Sequence, residues 1–177
     1  MNHNFFFTGA IAVSVFAALT AGPALAGTAQ TLCQIEVDEA EIKQPARRPD
    51  TVAFIKRSEG QVAVFRRGGD KVEEMPASIG MELHSFDAVV AGEDGAFDLI
   101  FTDNSTVTAI ANTCLEISEY AYKPAQKEGE FRMRLGRGVV SVTAGEVAKF
   151  KGDTMSIKVR NDTNLAVTGT RMVIRAK

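Results

Sequence analysis

His84 is followed at once by Ser85 and, two residues later, by Asp87. These are the residue types of a general base, a nucleophile and an orienting acid. A triad, however, is a matter of geometry rather than sequence adjacency, and no G-x-S-x-G elbow presents a serine here. The spacing therefore predicts a histidine in a turn ahead of Asp87. Gly136-Arg-Gly138 opens a G-x-G-x-x-G pattern, but Ser141 stands at the third glycine and no helical pattern follows, so a turn is expected there instead of a nucleotide site. Asp94, Asp98 and Asp103 offer oxygen ligands of the kind calcium takes. Asp94 and Asp103 fall in turn-like clusters, where Asp is common for its own reasons. No catalytic residue, metal ligand or cofactor site is expected, and the chain reads as non-enzymatic. Arg66, Arg67, Arg132, Arg134 and Arg137 are the candidate partner-binding residues, a basic strip for an anionic surface. The competing reading is a solvated strand face whose charges guard against edge pairing.

The elements that would position these residues follow from composition and pattern. The chain has 177 residues, 45% hydrophobic and 24% charged, with 20 Lys plus Arg against 22 Asp plus Glu, a net charge of −2. That balance argues against a dedicated nucleic-acid binder, which shows a strong basic excess. Residues 1–26 carry no Asp, Glu, Lys or Arg and run from an apolar stretch through Gly22-Pro23 to Ala24-Leu-Ala26. This is the pattern of a signal peptide cleaved after Ala26, its run short for a spanning helix; a segment kept uncleaved as an anchor is the alternative. A periplasmic or secreted protein with no stable membrane anchor is expected.

Cys33 and Cys114 are the two cysteines. In an oxidising compartment the even count favours a disulfide between them. The alternative is an unlinked pair, with Cys114 serving as a small buried residue of a strand. Residues 27–51 form an irregular arm, mixing acids and aliphatics and closing on Pro45 and Pro49.

From Val52 onward, short apolar runs alternate with Gly, Asn and Asp clusters every 8–12 residues, the signature of an all-β domain. Phe97, Leu99 and Phe101 fall on one face of their run, as do Phe131, Met133 and Leu135, and Met155, Ile157 and Val159. One buried and one wet face per strand fit a sandwich or a twisted solenoid. Turns are expected at Gly68-Gly-Asp70, Glu93-Asp-Gly95, Asp103-Asn104, Glu128-Gly129, Gly136-Arg-Gly138, Gly152-Asp153 and Asn161-Asp162.

Five elements, in order, resemble the FecR domain, a bacterial periplasmic module. They are Gly60-Gln-Val-Ala-Val-Phe-Arg-Arg-Gly68; Asp87-Ala-Val-Val-Ala-Gly-Glu-Asp-Gly-Ala-Phe-Asp-Leu-Ile-Phe-Thr-Asp-Asn-Ser105; Val107-Thr-Ala-Ile-Ala-Asn112; Phe131-Arg-Met-Arg-Leu-Gly-Arg-Gly-Val139; and the stretch from Met155 to Thr170. The chain departs from the family pattern at Arg160-Asn161, Thr168 and Asn104. The resemblance implies a twisted β-solenoid-like domain over residues 52–177. It also implies a role in protein–protein contact at the cell envelope; sensing members of the family relay a signal from a transporter to a sigma factor. Without a cytoplasmic segment, this chain is expected to be a stand-alone exported member. A carbohydrate- or peptidoglycan-binding module is the alternative, weakened by the lack of Trp and the presence of only Tyr120 and Tyr122 as tyrosine platforms.

Overall fold

The computed structural model describes residues 50–68, 71–150, 154–160, 163–167 and 170–177. The expected signal segment, Cys33 and the arm up to residue 49 lie outside the described residues, as do the expected turns at Gly69-Asp70, Gly152-Asp153 and Asn161-Asp162.

The chain is all-β. Its strands are β1 (Ala53–Glu59), β2 (Val62–Gly68), β3 (Lys71–Pro76), β4 (Glu82–Leu83), β5 (Ala88–Ala91), β6 (Ala96–Phe101), β7 (Thr106–Ala109), β8 (Cys114–Lys123), β9 (Glu128–Thr143), β10 (Met155–Val159), β11 (Thr163–Ala166) and β12 (Arg171–Ala176). A single 3₁₀ turn, Val147–Lys149, is the helical element among the described residues. The strands join in one curled sheet whose main path runs β3-β2-β5-β8-β9-β7-β6-β1-β4. Pairing is antiparallel except between β9 and β10, which run parallel from Met155 opposite Phe131 to Val159 opposite Leu135.

Strand β9 organises the molecule. Its first part pairs with β8 and β10, forming a back sheet with β2, β3, β5 and β11. Its last residues, Gly138 to Thr143, pair with β7 and β12, forming a front sheet with β1, β4 and β6. The turn expected at Gly136-Arg-Gly138 is therefore corrected: these residues sit inside one continuous strand. The glycines serve a different purpose. Gly136 is the extra residue of a bulge, since Cys114 faces Arg137 while Leu115 faces Leu135. Gly138 has φ +96°, a conformation open to glycine but costly for residues with a Cβ. A bulge and a left-handed residue bend the strand so that it serves both sheets. The turn expected at Glu128-Gly129 is displaced in the same way: the β8–β9 hairpin closes over Pro124 to Lys127, and Lys127 takes the left-handed conformation.

The alternation read from sequence holds where it was strongest. Phe97, Leu99, Phe101, Phe131, Met133, Leu135, Met155 and Ile157 are all buried in one core between the inner faces of the two sheets. Phe101 of the front sheet meets Phe131 of the back sheet at a centroid distance of 4.3 Å, and Tyr120 packs edge-on to Phe131 at 5.2 Å. Burying these rings from opposed sheets against one another adds to the largely aliphatic core that holds the sheets together.

Candidate binding faces

The polar residues with chemical potential are committed to structure. Asp87 is buried at the start of β5. Arg66 on β2 donates from Nε at 3.0 Å to Oδ1 and from Nη2 at 2.7 Å to Oδ2, and the His84 backbone N–H donates to Oδ2 at 2.9 Å. The bidentate pair raises the Arg66 pKa. His84 Nδ1 lies 3.9 Å from Asp87 Oδ2, beyond hydrogen-bond range. Between them Phe86 adopts φ +71°, so the segment is a tight turn, as the sequence suggests for His84.

Asp103 lies in the expected turn and is also a buried hub. Its carboxylate accepts the Ser105 N–H at 3.0 Å, the Ser105 hydroxyl at 2.8 Å and the Val147 N–H at 3.1 Å. The Ser105 hydroxyl in turn accepts the Gly145 N–H at 2.8 Å, and the Tyr120 hydroxyl accepts the Asp103 N–H at 2.9 Å. Asn104, between them, is left-handed at φ +66°, as its type allows. The network ties the β6–β7 turn to the segment after β9. Burial raises the Tyr120 pKa well above the usual phenol value. The Asp-x-Ser spacing was the sequence signal for this hub, but it looks identical to an ordinary Asx turn. Asp98, facing outward on β6, receives Arg57 Nε at 2.8 Å and Nη2 at 3.2 Å, and the hydrogen bond from Arg57 holds its carboxyl below the usual range. Asp94 accepts the Gln61 N–H at 3.2 Å. The three aspartates do not gather, and among the described residues no cluster of metal-binding side chains occurs.

The arginine strip is divided. Arg132, Arg134 and Arg137 lie along β9, whereas Arg66 and Arg67 lie on β2, with β5 and β8 between. Arg132 pairs with Glu119 at 3.5 Å and with Glu130, and Arg134 pairs with Glu116 at 3.6 Å. A groove of about 610 Å³ runs beside them, lined by residues including Ser118, Glu119, Arg132, Arg134, Lys158 and Asn164.

The outward face of the front sheet is different. The register sets Phe54, Ile100, Thr106, Thr143 and Arg171 in one row, and Asp98, Thr108, Ser141 and Val173 in the next. Val173 is 66% exposed and Phe54 37%, and Ile110, past the end of β7, is 51% exposed. This is an apolar and hydroxyl surface with charges at its margin.

These features define an all-β domain with two outward sheet faces of contrasting chemistry. No family model, curated protein or solved structure matches the chain. No helix among the described residues is long and apolar enough to cross a membrane.

Proposed function

We propose that the chain is a non-enzymatic, exported FecR-like domain that makes protein–protein contact at the bacterial cell envelope, in the periplasm or after secretion. The observation that supports this most is the outward face of the front sheet, where Phe54, Ile110 and Val173 stand exposed around a Thr/Ser ladder. Exposed apolar side chains spread across one sheet face mark a surface suited to protein contact. The commitment of Asp87, Asp98 and Asp103 to internal bonds supports a passive role over a hydrolytic one. The resemblance of five ordered sequence elements to the FecR domain supports the envelope setting, and a place in transporter-to-sigma-factor signalling belongs to the same proposal.

The test is site-specific photocrosslinking in the native cell envelope from positions 54 and 173, with position 127 on the hairpin turn as the control. Discrete protein adducts from 54 and 173, absent from 127, are expected, and Val173→Asp should abolish the adduct from 54. Equal labelling from all three positions overturns the reading. Retention on purified peptidoglycan, with no protein adduct, would favour the glycan-binding alternative.

A further inference from the structure

We propose that the acidic segment of residues 34–44 docks on the outward face of the back sheet, tethered by a Cys33–Cys114 disulfide, as an occupant supplied by the chain itself. Four observations carry this. First, Phe65, Val90 and Cys114 form a small cluster on that face, separate from the main core and with no other described hydrophobic residue in it. Cys114 is buried even though its neighbours Leu115 and Ile117 are the residues of β8 that face the core. Secondly, Glu116 and Arg134 also face outward, yet they are only 6% and 9% exposed. Charged residues on a sheet face open to water are rarely so enclosed.

Thirdly, the face asks for a polar, negatively charged cover. Arg132, Arg134 and Lys158 line the groove beside the cluster. Ser118 Oγ and Arg137 Nε are buried there without a hydrogen-bond partner. Residues 34–44 bring Glu36, Asp38, Glu39 and Glu41 against a single Lys43, with Ile35, Val37 and Ile42 interleaved. Acids can meet the β9 arginines and Lys158, while aliphatics extend the Phe65–Val90–Cys114 patch. Fourthly, the segment can reach. The described chain begins beside β4, where Thr51 Oγ1 donates to Glu82 Oε2 and Arg66 of the back sheet donates to the Glu82 carbonyl. The stretch from residue 33 to 51 spans up to roughly 60 Å when extended, against roughly 15 Å for the three strand spacings from β2 to β9.

The tether forms by thiol–disulfide exchange with an oxidising protein disulfide of the export compartment. The Cys33 and Cys114 thiols together give up two protons and two electrons, one S–S bond forms, and the oxidant's disulfide is reduced to two thiols.

The test uses the full oxidised chain, digested with a glutamyl endopeptidase and, separately, treated with a carbodiimide that joins carboxylates to amines in contact. Cleavage after Glu36, Glu39 and Glu41 is expected to be at least about tenfold slower than in a free peptide of residues 34–44. Intramolecular cross-links from this segment to Lys158 are also expected. Lys158→Glu should abolish those links and speed cleavage while leaving the strand circular dichroism unchanged; Arg132→Glu gives the same readout should Lys158→Glu not fold. Cleavage at the peptide's rate in a folded chain overturns the proposal. So do two titratable thiols in the denatured, unreduced protein, or cross-links that form only between chains, which would make a second copy the occupant.

Discussion

The Thr113 hydroxyl accepts the Val139 N–H at 3.1 Å and donates to the Val139 carbonyl at 3.3 Å, and it lies against Gly138 on the side where a Cβ would stand. Thr113 is buried, so this single side chain closes both backbone groups of Val139 at the point where β9 passes from one sheet to the other.

Gly138→Ala is accordingly expected to destabilise the domain by roughly 2–4 kcal/mol, from the left-handed backbone and the overlap with Thr113. Thr113→Val should cost about 1–2 kcal/mol by taking the Thr113 acceptor from the half-buried Val139 N–H. Urea unfolding of each variant measures both. A Gly138→Ala protein as stable as wild type would mean that β9 does not bend there.

The Asp103 hub leads to a second expectation. Asp103→Ala orphans the Ser105 and Val147 N–H groups and should cost at least about 2 kcal/mol. Tyr120→Phe removes the acceptor of the Asp103 N–H and should cost about 1–2 kcal/mol. Because the two sites share one network, the double variant should lose less than the sum, which a double-mutant cycle reads directly.

At β2, Arg66→Ala leaves the buried Asp87 carboxylate with only a backbone donor and is expected to cost roughly 3–5 kcal/mol. His84→Ala, whose imidazole makes no hydrogen bond to Asp87, should cost under about 1 kcal/mol. Thermal unfolding of the pair separates a structural Arg66–Asp87 clamp from a histidine-centred site. A larger loss from His84→Ala than from Arg66→Ala would reverse the assignment.

The Arg57–Asp98 pair sets a pH dependence. The Asp98 pKa is lowered in the folded state by the hydrogen bond from Arg57, so the folded protein holds the ionised form more firmly than the unfolded chain does. Its contribution is therefore complete above the unfolded value of about 4 and is lost as pH falls through the lower folded value. The stability gap between wild type and Asp98→Asn should be widest near pH 6 and narrow below pH 4. The gap should be small and shrink with added salt, since the pair is only partly buried. Melting curves taken from pH 6 to pH 2.5 test this, and a gap that widens on acidification would contradict it.

The proposed Cys33–Cys114 bridge predicts no reactive thiol on unreduced denaturation and two after reduction. Cys33→Ser with Cys114→Ser should lower stability by up to about 4 kcal/mol, because the unfolded chain regains the conformational entropy that the closed loop removes. Thiol titration and urea unfolding provide the two readouts.

Much of the architecture was legible in the residues. The runs around Val89, Leu99, Val107 and Ile157 lie in β5, β6, β7 and β10, because an apolar run, alternating in β6, β7 and β10 and continuous in β5, is a local property that each segment states for itself. β3 escaped notice: Lys71 to Glu74 are all exposed, so Lys71-Val-Glu-Glu-Met-Pro76 has no apolar alternation to read and is a strand through its pairing with β2. Gly136 and Gly138 of β9 read as a turn because a bulge and a turn draw on the same residue types.

What the sequence determined alone was the all-β class, the inward residues of the long strands, and the left-handed turn at Asn104. These depend on side-chain alternation and on φ preferences that act over a few residues. Only the tertiary structure decided that β9 serves two sheets, that Asp103 in its turn is a buried hub, and that the arginines split between β2 and β9. It also decided which outward face is apolar and which is charged. Each of these depends on which distant strand lies alongside, a choice made by the joint burial of both sheets' inner faces and invisible to any one segment.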